Sequence, residues 1–538
     1  MKLPGTALAL VALTLSVGAA KAPELPTYPA ATPEETARVV EAFRDASARS
    51  LSDRSGDLFA LPAKYSFITE ADHMTPLTTH VRGHELTAMG TAHGTSWEYD
   101  TRIPLVLWGP GFIKAGVRIP AAATQQDLAP TYAQLMGTEA PADAHGRVLT
   151  EALLPGSRHP KVILTVVFDQ GGESYYRAHP GMTPNVDRFK AEGTYFTETR
   201  VSHVDTETGI GHSAIGTGAW PSTTGISSNN IWLRSMGSRR YSFQGEAGSS
   251  GIFLNSPTLG DTWLRATKNK ALLLGYCYAD RAAIGMAGHG AMYKGNKKPW
   301  VIFYDEKKGE LTTNEAYYEL PSYLKGVGPK RYCEDLTKGT GKWMGHDIDP
   351  KADVRDTPAY AAFDGDNVVQ LIQKEPFGED DVTDLMYVTL KSTDACGHAF
   401  GNESDEAGAV IAEQDRQFRR ILDALVAKVG KDNVVVALTA DHGSAPLAEL
   451  SGGKRLSDRQ LIDDLNRMVD KRNNGVNVFE YASATQLFVN ETERERNKLT
   501  YDDLKKAVLS YQVDGKPFFV DVVTRPEALE RAKRFKAP

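Results

Sequence analysis

Three short runs of almost unbroken apolar residues punctuate the chain. They are Lys161–Phe168, Leu385–Leu390 and Val434–Leu438. Runs of this length without polar alternation are typical of strands buried on both faces of a parallel sheet. Each run is followed closely by an aspartate, in order Asp169, Asp394 and Asp441.

Helical patterns flank these strands. A helix is predicted from Thr32 to Arg49, where Thr32-Pro33-Glu34-Glu35 has the form of a capping box. Another is predicted from Glu413 to Val429, with Gly430 as its stop. The alternation predicts a doubly wound α/β fold, a mostly parallel sheet sandwiched by helices, whose ligands bind beyond the carboxyl ends of the strands.

Residues 289–347 break this alternation because they are rich in aromatic and turn residues. We interpret the segment as a cap-like insertion that roofs a site, or as a peripheral decoration.

Composition changes this picture little. The 538 residues are 41% hydrophobic and 24% charged, with a net charge of -7, so no nucleic-acid-binding or anionic-membrane surface is indicated. Of the three cysteines, Cys277 and Cys333 are a possible disulfide pair, and three free buried thiols are the alternative.

The first 22 residues have a Lys near the start, an apolar run from Ala7 to Val17 and a small-residue end at Ala20-Lys21-Ala22. This pattern predicts a secretory signal peptide and a secreted, periplasmic protein with no membrane span in the mature chain. An uncleaved anchor is the alternative, although the run is shorter than the ~20 residues that a span needs.

Metal-ligating residue types gather after the predicted strands. Asp394 and His398 stand four apart in DACGH, and Asp441-His442-Gly443 follows the third strand. Mixed carboxylate and imidazole clusters suit zinc better than magnesium or calcium, and manganese remains open.

A nucleophile is predicted in the stretch from Ser202 to Asn230. Thr208 stands before Gly209, where the backbone can approach an anion and the next residues can open a helix. The alternative is that Thr208 is only a helix cap.

Taken together, these motifs resemble the alkaline phosphatase superfamily, in its branch of Thr-nucleophile phosphatases and nucleotide pyrophosphatase/phosphodiesterases. The resemblance rests on VVFDQ, TETGIGHSAIGTGAWPSTTGISSNN, ADRAAI, STDACGH and TADHG. It implies two zinc ions in two clusters. The first cluster comprises Asp169, Thr208, Asp441 and His442, and the second comprises Asp394, His398 and a histidine from a GT-x-HG motif near the family's C-terminus.

No histidine follows His442, but GTAHG occurs at 90–94 and supplies His93. We therefore interpret the chain as a circular permutant, a single domain over 23–538. Residues 23–152 correspond to the family's C-terminal part, 153–160 to the joint, and 161–538 to its N-terminal and central parts. The alternatives are a surface His93 beside a degraded site, and a His93 donated between the subunits of a swapped dimer.

The resemblance also makes Asn229 and Arg281 the contacts to the substrate phosphate. The phosphate monoesterases of this branch have a Lys two residues before that Arg, and here the position is Ala279. Losing one cation should weaken selection for a dianionic monoester over a monoanionic diester.

The function predicted is hydrolysis of a small phosphate ester through a phosphothreonine intermediate on Thr208. The alternatives are a phosphodiesterase or nucleotide pyrophosphatase, and a non-catalytic metal- or phosphate-binding protein. The sequence leaves the oligomeric state open.

Overall fold

A computed structural model describes residues 23–70, 74–472 and 474–535. The predicted signal peptide, 1–22, lies outside these residues. The helices are, in chain order, α1 (Pro33–Ser50), α2 (Glu98–Thr101), α3 (Leu128–Met136), α4 (Glu173–Ala178), α5 (Pro184–Glu192), α6 (Thr208–Thr217), α7 (Pro221–Thr224), α8 (Leu259–Ala266), α9 (Asp280–Ala287), α10 (Lys330–Thr337), α11 (Pro358–Lys374), α12 (Ser392–Phe400), α13 (Asp405–Val429), α14 (Ala448–Ser451), α15 (Asp458–Val469), α16 (Glu491–Arg496), α17 (Tyr501–Ser510) and α18 (Arg525–Ala532).

The strands are, in chain order, β1 (Leu58–Pro62), β2 (Phe67–Thr69), β3 (Leu77–Val81), β4 (His84–Ala88), β5 (Leu105–Trp108), β6 (Val117–Ala123), β7 (Val162–Phe168), β8 (Thr194–Thr199), β9 (Asn230–Leu233), β10 (Ser238–Tyr241), β11 (Gln244–Gly245), β12 (Gly248–Ser249), β13 (Leu273–Tyr276), β14 (Trp300–Asp305), β15 (Glu310–Thr312), β16 (Lys342–Trp343), β17 (His346–Asp347), β18 (Asp384–Leu390), β19 (Val434–Thr439), β20 (Arg455–Ser457), β21 (Phe479–Ser483), β22 (Gln486–Val489), β23 (Gln512–Val513), β24 (Lys516–Pro517) and β25 (Phe519–Thr524).

Nine strands of the described residues form the main sheet, in the order β15-β14-β13-β18-β7-β19-β5-β8-β6. Only β5 and β15 oppose their neighbours within an otherwise parallel sheet. The α/β fold predicted from the sequence is confirmed.

The three predicted strands are the centre of this sheet. They correspond to β7, β18 and β19, and β7 pairs in parallel with both of the others. All their residues are buried, because helices cover both faces and leave no room for polar alternation. Their carboxyl ends therefore meet at one edge of the sheet.

Residues before the predicted joint also enter the main sheet. Strand β5 pairs antiparallel with β19, and β6 pairs in parallel with β8. Residues 154–159 of the predicted joint are exposed.

The segment 289–347 differs from its predicted role, because it is not only a cap. Its strand β14 pairs in parallel with β13 inside the main sheet, and β15 follows as the edge strand. Val301 and Ile302 are fully buried there. The aromatic residues of this segment therefore pack partly as sheet core, although others face the cavity described below.

The two ends of the described chain lie against each other. Helix α1 packs on α18, and Arg531 Nε lies 2.6 Å from Asp45 Oδ1. Strand β1 pairs antiparallel with β25 in a separate four-stranded sheet.

Local helix signals were partly correct. Thr32 Oγ1 accepts a hydrogen bond from the Glu35 amide at 3.1 Å, but the Glu35 carboxylate binds Lys64 at 2.9 Å, so the capping box is incomplete. Helix α13 begins at Asp405, eight residues before its predicted start, and is capped by Ser404.

All three cysteines are buried and free, so the proposed Cys277–Cys333 pair does not form. Within the described residues, no helix has both the length and the apolar character that crossing a bilayer requires.

Candidate active site

The carboxyl edge of the central strands gathers the predicted acidic residues. Asp169 follows β7 directly, and Asp441 lies two residues after β19. Asp394 lies in the first turn of α12, four residues after β18. All three are buried, and burial raises the pKa of Asp169 and Asp441, so their carboxyl groups are gathered away from water.

One cluster forms around His442. Its Nε2 lies 3.2 Å from Asp441 Oδ2 and 3.7 Å from Asp169 Oδ1. Its Nδ1 lies 2.9 Å from the Gly443 carbonyl, which can only accept, so in the neutral ring Nδ1 carries the proton and Nε2 presents a lone pair. Burial lowers the pKa of His442 well below its usual range, so the ring is neutral. The lone pair of His442 Nε2 therefore lies close to carboxylate oxygens of Asp441 and Asp169.

A second cluster forms around His93 and His398. Each Nδ1 faces a backbone carbonyl, that of Thr206 at 2.7 Å and that of Thr91 at 3.0 Å respectively. The two Nε2 atoms lie 3.2 Å apart, and Asp394 Oδ1 lies 3.5 Å from the first and 3.4 Å from the second. The structure therefore brings His93 to the residues with which the sequence grouped it.

The two clusters adjoin. The rings of His93 and His442 stack with their centroids 3.9 Å apart. Asp169 Oδ1, Asp441 Oδ2 and His442 Nε2 are buried atoms that make no hydrogen bond within the described residues. Converging carboxylate and imidazole lone pairs without donors are what a divalent cation neutralises, and this donor set fits zinc.

Thr208 begins α6 and is almost fully buried. The N-cap position belongs to Glu207, so Thr208 is not the cap. Its hydroxyl therefore lies at the positive end of a ten-residue helix, where an anion is stabilised.

Lys391 is one of two site residues that the sequence did not predict. Its ammonium Nζ lies 3.0 Å from Thr208 Oγ1, 2.9 Å from Asp169 Oδ2 and 2.5 Å from Asp394 Oδ2. Although burial raises the pKa of Asp394, Lys391 and His398 hold that pKa well below its usual range. The only sequence signal was a Lys at the end of an apolar strand, three residues before a predicted ligand.

Gln170 links the two clusters and was also missed. Its backbone amide donates to Asp441 Oδ1 at 3.0 Å, and its side-chain Nε2 donates to Asp394 Oδ1 at 3.0 Å. The residue has φ of 61°, a left-handed conformation that costs free energy for a non-glycine residue and is common at functional sites.

His212 lies beside Asp441 but is not available as a ligand. Its Nδ1 lies 2.8 Å from the Thr208 carbonyl and its Nε2 lies 2.9 Å from Thr389 Oγ1. Burial lowers the pKa of His212 to about 3, so the ring is a neutral, hydrogen-bonded part of the core.

The predicted phosphate contacts, Asn229 and Arg281, both lie close to Gly209, the residue after Thr208. Asn229 Oδ1 accepts from the Gly209 amide at 2.9 Å, which leaves its Nδ2 to donate elsewhere. Glu207 holds Asn229 in place, because the Glu207 carboxylate accepts a hydrogen bond from the backbone amide of Asn229 at 2.6 Å. Arg281 is in the first turn of α9, and its buried Nε makes no hydrogen bond within the described residues.

Part of this site borders a cavity of about 1120 Å³. Its lining includes His93, Asn229, Arg281, Lys391, Asp394 and His398, together with Tyr278, Phe303, Tyr304, Glu306 and Arg355. Ala279 lies in this lining, so no cation is present at the position that the resemblance associates with Lys.

A mixed carboxylate and imidazole site lies at the carboxyl edge of a mostly parallel sheet, near a helix N-terminus and a cavity lined by charged and aromatic side chains, and this arrangement suits a phosphoric ester hydrolase. The sequence model described as "Type I phosphodiesterase / nucleotide pyrophosphatase" matches residues 163–537, more than half of the chain. The chain belongs to this family, within the alkaline phosphatase superfamily.

Three relatives are similar to this chain over more than half of its length. The chain is 25% identical to alkaline phosphatase PafA of Elizabethkingia meningoseptica, over 69% of this chain and 76% of that one. It is 30% identical to alkaline phosphatase PhoK of a Sphingomonas species, over 56% of this chain and 59% of that one. The chain is 27% identical to a protein named calcium-transporting ATPase from Myroides odoratus, over 68% of this chain and 75% of that one.

A solved structure supports the fold. The crystal structure of wild-type PafA superposes with a TM-score of 0.56 at 23% identity, over 66% of this chain and 77% of that one.

Proposed function

We propose that this protein is a phosphomonoesterase of the alkaline phosphatase type, which works through a phosphothreonine on Thr208 at a two-zinc site. One observation carries the proposal. The Thr208 hydroxyl lies at a buried helix N-terminus, 3.0 Å from the Lys391 ammonium, beside two clusters of converging ligand atoms.

The first zinc would be held by Asp169, Thr208, Asp441 and His442, and the second by Asp394, His398 and His93. When bound, the ions supply charge that favours ionised Thr208 and stabilises the oxygen of the leaving group. Gln170 positions a carboxylate of each cluster through its two hydrogen bonds.

The chain's own residues account for the transfer. The Thr208 hydroxyl gives its proton to solvent, Thr208 Oγ1 attacks phosphorus in line, the bond from phosphorus to the ester oxygen breaks, and the alcohol leaves with a proton from solvent. Water then attacks the phosphothreonine and releases inorganic phosphate and the free hydroxyl. Asn229 Nδ2, the Arg281 guanidinium and the amides at the start of α6 hold the non-bridging oxygens, where negative charge is stabilised.

Lys391 decides between a monoester and a diester in this proposal. A phosphoryl group on Thr208 Oγ1 would lie within reach of its ammonium, which contacts that oxygen already. Lys391 thus supplies, from the end of β18, the cation absent at Ala279. Two cations, Lys391 and Arg281, favour a dianionic monoester.

The diesterase or nucleotide pyrophosphatase alternative has one observation in its favour. A cavity of about 1120 Å³ bordered by Tyr278, Phe303 and Tyr304 has room for a second ester substituent. The alternative of a non-catalytic binding protein differs from both in predicting no turnover.

Circular permutation and the domain boundaries remain part of the proposal. They are supported by the entry of β5 into the main sheet, by the exposure of 154–159, and by the packing of α1 on α18. Termini that lie side by side are what a permutation requires. Export through residues 1–22 is likewise proposed from sequence alone.

His93→Ala tests the permuted ligand. We expect zinc at the second cluster to bind at least about tenfold more weakly, because one of three ligands is lost. Competition of the purified protein against a chelator of known affinity measures this. His145→Ala is the control, since that ring stacks on Trp220 outside the clusters. Unchanged zinc affinity in His93→Ala would exclude His93 as a ligand.

The reaction class is tested by hydrolysis of an aryl phosphate monoester and the matching diester, side by side. We expect the monoester to be turned over faster, and both rates to disappear after chelation and return with zinc. A preference for the diester would favour the alternative enzyme, and no turnover of either ester would favour the binding protein.

A further inference from the structure

A second group of metal-ligating side chains lies outside the candidate active site. His80 on β3, His346 on β17 and Glu406 in the first turn of α13 come from three distant parts of the sequence. His80 Nδ1 lies 2.6 Å from Glu406 Oε1, and His346 Nε2 lies 2.9 Å from the same oxygen. The two rings have centroids 6.0 Å apart and are inclined at 65°, so both converge on one carboxylate.

Charge makes this group unusual. The Glu406 side chain is fully buried, and within the described residues its ion-pair partners are the two imidazoles alone. The backbone amide of His80 donates to the other oxygen, Glu406 Oε2, at 3.2 Å, and a divalent cation held by the three side chains would compensate the charge of the carboxylate. Asp405 and Glu85 add negative charge nearby, since Asp405 accepts from the hairpin amides of Arg82 and Gly83 and Glu85 pairs with His80 across the strands.

We infer that His80, His346 and Glu406 form a separate structural site for one divalent cation of the zinc type. Two imidazole nitrogens and one carboxylate oxygen are a common zinc donor set. Ligand atoms around tetrahedral zinc lie about 3.3 Å apart, so the two distances from imidazole nitrogen to Glu406 Oε1 need to open by less than about 1 Å. The His80 side chain is 27% exposed, which leaves a water ligand access to the fourth position.

The site would fasten the hairpin β3–β4 to α13, the helix that follows α12, on which Asp394 and His398 lie. Thr79 Oγ1 on β3 already donates to the Phe400 carbonyl at the end of α12, at 2.8 Å. The hairpin leads directly into Thr91, whose carbonyl contacts His398 Nδ1, and then to His93. A cation bound to His80 therefore supports the segment that places His93, but its binding does not depend on the proposed catalytic function.

The experiment separates this site from the catalytic one. In the full-length variant Asp394→Asn/Asp441→Asn, which disables both catalytic clusters, we expect one zinc per chain after dialysis against zinc, and a higher Tm with zinc than after chelation. Adding either His80→Ala or Glu406→Gln should remove that zinc and abolish the zinc-dependent rise in Tm. Glu406→Gln keeps the shape of the side chain, so it serves if the alanine variant folds poorly.

His84→Ala in the same background is the matched control. It lies on the same hairpin, but its Nε2 faces the Pro23 carbonyl, so zinc content should stay at one. Hydrogen exchange over 77–88 should quicken after chelation in the background variant and be insensitive to chelation once Glu406→Gln is added.

Two results would overturn the inference. One is zinc content that is unchanged by both His80→Ala and Glu406→Gln. The other is a background variant that holds no zinc and whose Tm follows pH alone, which would mean that a protonated His80 is the partner of Glu406. Loss of turnover in the background variant bears only on the proposed function.

Discussion

Thr208→Ala is expected to reduce monoester turnover by about a thousandfold or more, since removal of a covalent nucleophile abolishes the step it performs. Zinc content should stay nearly unchanged, because six other ligands of the two clusters remain. Steady-state kinetics and metal analysis of the same preparation measure both.

The matched control is Thr217→Ala, the same substitution on the same helix. Its hydroxyl donates to the Ser213 carbonyl one turn earlier, away from the site. Full activity in Thr217→Ala together with the loss in Thr208→Ala assigns the effect to the nucleophile. If Thr208→Ala kept wild-type turnover, a different group would perform the attack.

Lys391→Met has the second largest expected effect. We expect kcat/KM for the monoester to fall by about 10²- to 10³-fold, as when a charge-stabilising donor is removed, and that for the diester to fall much less. The reason is that the Lys391 ammonium contacts Thr208 Oγ1 and would contact the extra negative charge of a monoester. Parallel kinetics on the two esters give the ratio directly.

A second substitution that restores a cation distinguishes loss of charge from loss of folding as the cause of the lower activity in Lys391→Met. Ala279 borders the same cavity, so Lys391→Met/Ala279→Lys returns a cation to the position where the resembling phosphatases have one. We expect part of the monoester preference to return. If both esters lose activity equally in Lys391→Met and nothing returns, Lys391 only keeps the site folded.

Sequence patterns predicted the centre of the fold because its determinants are local. Unbroken apolar runs predicted β7, β18 and β19. Because these strands are parallel, the aspartates that follow them lie at the same edge of the sheet. GTAHG was selected for a different reason. Its importance came from a missing histidine elsewhere in a known pattern, and no local property of residues 90–94 indicated it.

What the sequence did not predict depends on tertiary contacts. The role proposed for Lys391 rests on three side chains that surround its ammonium. Gln170 reaches both clusters from a left-handed backbone conformation that no residue pattern signals. Strand β14 was interpreted as part of a cap because aromatic residues occur both in sheet cores and in cavity walls. In each case the structural position depends on which residues the side chain or strand contacts, and residue type alone does not determine it.

The most direct measurement of the central claim is a search for covalent phosphate on Thr208. The protein is mixed with a phosphate monoester, quenched in acid within the first turnover and digested with trypsin. Cleavage after Arg200 and Arg234 releases residues 201–234, and fragmentation in the mass spectrometer locates any phosphate within that peptide. We predict a phosphoryl group on Thr208 that is absent without substrate and absent in Thr208→Ala. Active protein whose quenched peptide carries no phosphate, or carries it on another residue, would contradict the account.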